Sequence, residues 1–363
     1  MATILIRLRA ALMAAALVAI ASIACGPDLA LAQAAASPSA ACNALITAKD
    51  APTVTDAVNY QDDSKTVSLG NIVTVTGERL GKLFDPDCRG QQVVLFFNDW
   101  PLTDVKPLPP IDPARGSLHF KLVNRHYDEN TKNPWLPILG SPGFTPVPVK
   151  VSVGFATSFA MQPTTPNAWP TLQLAVLPLG WFLLWVVIFG GMMWVFWHFV
   201  RTSTILRDPG PDGSQGMFSL SRSQGALWFF VILAAYLFIG IVTGDFNDSI
   251  NSTAVILLGI GAGTVLGSAA VDANKKAAGT APMTGKSNGY FDDILSDANG
   301  ISFHRFQMAA WTIVVGIIFV LEVYRNLAMP IFNSTLMGLL GLSAGTYLGL
   351  KIPEATTAAK QPG

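Results

Sequence analysis

The sequence predicts a two-part protein. An exported β-sandwich domain comes first, then an all-α transmembrane bundle of five helices, the last four a duplicated two-helix hairpin. Three observations lead to this. Apolar residues make up 51% of the 363-residue chain and charged residues only 13%, a membrane-type composition. Five apolar runs, at 176–199, 225–243, 252–271, 307–325 and 332–350, each approach the ~20 residues that cross a hydrocarbon core. Before them, short runs rich in Val, Thr and Phe alternate with turn residues, as strands do. The formal net charge is zero, which gives no basic surface and predicts no nucleic-acid partner.

Residues 1–34 read as a signal peptide. Arg7 and Arg9 precede the apolar run Ala10 to Ala24, and Ala30-Leu31-Ala32 and Ala32-Gln33-Ala34 offer small-x-small cleavage sites. A retained anchor and lipidation at Cys25 stay open as alternatives. Export places the following segment in an oxidising compartment. Removing the signal also removes Cys25, so Cys42 and Cys88 are the expected disulfide.

The exported domain spans 35–168. Thr66 to Gly77, Val93 to Asn98, Ser117 to Val123 and Val147 to Phe155 show partial period-two alternation, while Pro107-Leu-Pro-Pro110 and Gly140-Ser-Pro-Gly143 break it. Short strands over a domain of this length predict a β-sandwich. The run Gly70-Asn-Ile-Val-Thr-Val-Thr-Gly77-Glu-Arg-Leu80-Gly81 resembles the opening of IPT/TIG immunoglobulin-like domains, in which a strand leads into a glycine turn and a leucine. Lys150-Val-Ser-Val-Gly-Phe155 is similar to their closing strand. Over about 65–155 the resemblance implies an Ig-like fold that binds a protein or glycan partner or acts as a spacer. His119, His126 and Asp128 lack the spacing of a metal site, and Trp100 and Trp135 read as packing residues. No metal and no cofactor is expected.

The membrane half covers 169–352, with a tail at 353–363. Export fixes the first span as out-to-in. Arg201, Arg207, Arg222, Lys275, Lys276, Lys286 and Arg305 then fall in inner loops, and Asp245 and Asp248 in an outer loop, as the positive-inside rule requires. The expected location is a bacterial inner membrane, multi-pass, with the N-terminal domain periplasmic and the C-terminus cytoplasmic. The second and fourth spans open alike, at Ser219 to Trp228 and Ser302 to Trp311. The third and fifth both follow Asn-Ser-Thr, at 251 and 333. That is an internal repeat of one hairpin.

Gly259, Gly263 and Gly267, and again Gly341, Gly345 and Gly349, are spaced by four. On a helix such residues share one face, and in lipid a strip without side chains lets backbones meet. These glycines are therefore the expected helix-packing residues, with the third and fifth spans at the centre of the bundle. Gln224, Gln307, Thr264, Thr346 and Glu322 are the intramembrane polar candidates, with Glu322 expected to pair with Arg325. Gly341-Leu-Ser-Ala-Gly345 matches a nucleophile elbow in letters, yet it lies inside a helical run, far from either nearby histidine. Gly279 to Ser287 has one residue too many for a phosphate loop. The sequence thus predicts a non-enzymatic membrane receptor or scaffold. Its expected partners are lipid, further copies or another membrane protein, and a periplasmic protein or glycan. The alternative is an oligomeric channel or small transporter lined by helices bearing Thr264, Thr346 and Ser343.

Overall fold

The computed structural model describes residues 40–47, 51–111, 116–124, 135–139, 142–156, 159–164, 168–209, 215–244, 246, 249–278, 287–297 and 300–353. The expected signal peptide with Cys25, the tail beyond 353, His126, Asp128, Asp245, Asp248 and the Gly279 to Lys286 loop lie outside them. Helix α1 (Ala40–Thr47) opens the described chain. Its Cys42 is disulfide-bonded to Cys88, which ends a short 3-10 turn at Pro86–Cys88. The predicted disulfide is therefore present.

Strands β1 (Thr53–Asn59), β2 (Thr66–Ser68), β3 (Ile72–Glu78), β4 (Val93–Phe97), β5 (Trp100–Leu102) and β6 (Ser117–Lys121) precede the short helix α2 (Leu136–Leu139). Then come β7 (Val147–Phe155), β8 (Phe159–Ala160), β9 (Gln162–Pro163) and β10 (Thr171–Ala175). One sheet has the order β6-β3-β1-β9. The other runs β2-β10-β7-β4-β5, with β8 hydrogen-bonded to β7. Val73, Val75 and Phe120 of the first sheet and Leu95, Val151 and Leu172 of the second share one buried core. In β3 the burial alternates, Val73, Val75 and Gly77 inward, which is what period-two patterning dictates.

Two sequence expectations change here. The strand expected over 66–77 is split, because Gly70 at φ +88° turns the chain between β2 and β3. Strand β10 lies beyond the expected end of the domain at 168. It pairs with both β2 and β7, so the sheet runs almost directly into the first long helix. Its Thr-Leu-Gln-Leu-Ala sequence merges with the apolar run after it, which hid the boundary.

Helices α3 (Leu179–Thr202), α4 (Leu220–Thr243), α5 (Ser252–Ala277), α6 (Tyr290–Leu295), α7 (Phe303–Asn326) and α8 (Ser334–Lys351) complete the fold. Hairpin β11 (Arg207–Pro209) and β12 (Gln215–Phe218) joins α3 to α4, and β13 (Ser296–Asp297) and β14 (Gly300–Ile301) precede α7. Helices α3, α4, α5 and α7 are long and apolar enough to cross a membrane, as in a multi-pass membrane protein. Helix α8, of 18 residues, is shorter and glycine-rich. Helices α4, α5, α8 and α7 form a ring of neighbours, and α3 leans on α4 from outside. Among the described residues of α3, only Val200 is buried.

The repeat is visible in the caps. Asn251 accepts a hydrogen bond from the Ala254 amide, and Asn333 does the same for Leu336, so each Asn-Ser-Thr starts a helix by satisfying an orphan N–H. The first helices of the two hairpins are less alike. Trp228 is fully buried where Trp311 is half-buried, and Arg305 is buried over the Tyr347 ring where Arg222 meets Asp208 at 3.5 Å.

Candidate functional site

Three places could carry function: the junction between sheets and bundle, the bundle interior, and an apolar groove beside α3. At the junction, the turn at Gly70 is pressed against the end of α4. A Cβ on Gly70 would lie 2.4 Å from the Thr243 carbonyl oxygen, so only glycine fits. The Asn124 amide donates to the Asn326 carbonyl (2.6 Å), and the Tyr324 hydroxyl donates to the Pro142 carbonyl (2.6 Å). The buried cluster of the sheets continues without a break through Val176 and Leu177 to Phe238, Val242 and Val323. Sheets and bundle are packed as one body.

In the interior, α4 and α5 pack backbone to backbone at Gly225 and Gly261: a Cβ on Gly261 would stand 3.3 Å from the Gly225 Cα. Neither glycine belongs to the predicted stripes. Among the described residues, Cβ atoms at Gly259, Gly263, Gly341, Gly345 and Gly349 would meet nothing within 4 Å, and of the six only Gly267 abuts a neighbour, Leu348 of α8. The sequence expectation that these glycines seam α5 to α8 is therefore corrected within the chain. The inward face of α5 is Leu257, Gly261, Thr264 and Ser268; that of α8 is Leu340, Ser343, Ala344 and Tyr347. These residues lie on a different side of each helix from most of the stripe. On α5 the small residues Gly261, Thr264 and Ser268 face inward, while Val255, Ile256 and Leu266 are exposed on the side of the bare strip.

The polar candidates divide. Gln224 is buried and its amide donates to the Thr312 hydroxyl at 3.0 Å, tying α4 to α7. Gln307, its counterpart in the repeat, is only half-buried. Thr264 is buried and Thr346 exposed, and each hydroxyl bonds the carbonyl one turn back, Ile260 and Leu342. They do not share a face, so they do not together line a path. Glu322 accepts from the Asn326 amide at 2.8 Å rather than pairing with Arg325. Asn326 sits at i+4, one position beyond the expected partner, at the point where α7 ends. In the β region, the His119 ring bonds the Thr74 hydroxyl (3.0 Å), and Trp135 is fully buried with its indole N–H on the Val123 carbonyl. Both are packing residues; Trp100 is exposed.

The groove lies between α3 and α7 on the surface of α4, with a volume of about 730 Å³. Phe182, Phe238 and Tyr324 line the end nearest the sheets, and Phe196, Ser223 and Tyr290 the distal end. Phe144 packs edge-on against Phe182, so the segment after Pro142 covers the near end. Sequence reasoning missed this groove, because its residues look like any lipid-facing helix surface. No known family, characterised protein or solved structure matches this chain.

The distal end of the bundle is held by a buried carboxylate. Asp293 of α6 accepts from the Phe218 amide, the Ser287 hydroxyl and the Asn288 amide, at 3.0, 2.6 and 3.0 Å. Lys351 closes α8 with hydrogen bonds to Ser268 and Asp272.

Proposed function

We propose that this chain is a non-enzymatic membrane receptor or scaffold. Its Ig-like β-sandwich faces the periplasm and takes a protein or glycan partner. Its helices cross the bacterial inner membrane five times, α8 being the fifth, and leave the C-terminus in the cytoplasm. A partner engaged by the sheets is thereby coupled to the bundle, because the two parts share one core. The observation that carries the reading is the outward glycine strip. A Cβ on Gly259 or Gly263 of α5, or on Gly341, Gly345 or Gly349 of α8, would meet nothing within 4 Å among the described residues. In lipid such strips bring helices of separate chains together, since close backbone contact replaces the hydrophobic drive that lipid removes.

The test is the Gly263→Leu, Gly345→Leu double variant, sized by mass photometry in nanodiscs beside its thermal midpoint. The expected result is a smaller assembly with the chain's own stability retained. An unchanged particle size would overturn the proposal.

A further inference from the structure

We propose that the groove between α3 and α7 is a binding site for a single acyl chain of an anionic glycerophospholipid, the headgroup lying at the end distal to the sheets. The dimensions select the occupant. On α3 the groove runs from Phe182 to Phe196, a rise of ~21 Å at ~1.5 Å per residue. A hydrocarbon chain laid along the groove fits that length and its aromatic and aliphatic walls.

The chemistry selects the orientation. The walls are aromatic and aliphatic except at the distal end, where Ser223 lines the groove. Ser223 is 8% exposed and its hydroxyl has no hydrogen-bond partner. A buried hydroxyl left this way loses its solvation without recompense. An ester carbonyl entering from the distal interface would accept from it, and the chain would then extend towards the sheets. Just outside that mouth, Leu206 leads into Arg207. The Arg207 guanidinium stacks on Phe218, which in turn packs on Tyr290 of the groove. The buried Nε of Arg207 has no partner either. Arg222, one residue before Ser223, is already paired with Asp208 at 3.5 Å, so Arg207 is the cation that gives a phosphate its counter-charge. At the other end the groove is lined by Phe182, which packs on Phe144, and by Tyr324, which bonds the Pro142 carbonyl, so an occupying chain would lie against residues that pack the sheets onto the bundle.

The experiment uses the full chain in phosphatidylcholine nanodiscs doped with phosphatidylglycerol that carries a diazirine in its acyl chain. Adducts are mapped by mass spectrometry after illumination. Labelling is expected at Leu227 and Val231 at least tenfold above Val187 and Ile317, which are exposed on helix faces outside both the groove and the glycine strips. Excess unlabelled phosphatidylglycerol should suppress the groove adducts, and excess phosphatidylcholine should not. Ala226→Phe should abolish them at an unchanged thermal midpoint, and Ser223→Ala should lower them roughly three- to tenfold, the value of one hydrogen bond. Equal labelling of Val187, Ile317 and the groove would mean ordinary boundary lipid and would overturn the proposal. So would equal competition by phosphatidylcholine, or chain-to-chain crosslinks from Val231 in place of lipid adducts.

Discussion

Replacing Gly261 by Leu probes the packing most directly. A Cβ at 261 would stand 3.3 Å from Gly225 Cα and 3.7 Å from Trp228 Cδ1, against an optimum of ~3.5–4.0 Å between carbons. Alanine there needs a shift of a few tenths of an ångström, and its cost is offset by the ~1 kcal/mol that leaving glycine returns to a helix. Leucine adds three more carbons into the same gap. Overpacking of that kind costs ~1–3 kcal/mol, so a net loss of up to about 2 kcal/mol is expected after the propensity gain. At Gly263, two residues on, the same leucine meets open space and should stabilise the single chain by up to ~1 kcal/mol. The propensity gain is common to both, so the pair should differ by the overpacking cost, ~1–3 kcal/mol, read by equilibrium unfolding of the single chain in SDS-containing mixed micelles. If Gly263→Leu destabilises the chain as much as Gly261→Leu, the assignment of the α4–α5 contact is wrong.

Two further outcomes follow from the polar contacts. Asp293→Ala leaves three donors without their acceptor. Bonds to a charged group are worth ~1.5–3 kcal/mol each, so hydrogen exchange at 287–295 and at Phe218 should accelerate by at least tenfold; unchanged protection would refute the role of that carboxylate. A double-mutant cycle of Gln224→Leu with Thr312→Val should return a coupling of ~0.6–1.7 kcal/mol. A coupling near zero would show that the 3.0 Å contact adds nothing between α4 and α7.

Some of this architecture is legible without coordinates because it depends on local rules. Apolar runs near 20 residues long give helices able to cross a bilayer. Alternation in Ile72–Glu78 gives a strand with one face buried. Asn before Ser-Thr gives a cap at both 251 and 333, and the expected pair Cys42 and Cys88 forms a disulfide. Other features needed long-range information. Strand β10 is short, and it exists because the distant strand β2, and β7 before it, complete its hydrogen bonds.

The glycines mark the boundary between the two kinds of knowledge. The sequence alone determined that two helices carry bare strips, since spacing by four places residues on one face. Which way each strip points depends on what the rest of the bundle has to bury. Tertiary structure decided that Gly225 and Gly261 meet, that Gln224 reaches Thr312 while Gln307 stays at the margin, and that α3 stands off from α7 to leave a groove. A helix's rotation about its axis is set by the summed packing of all its neighbours, and no window of its own residues contains that sum.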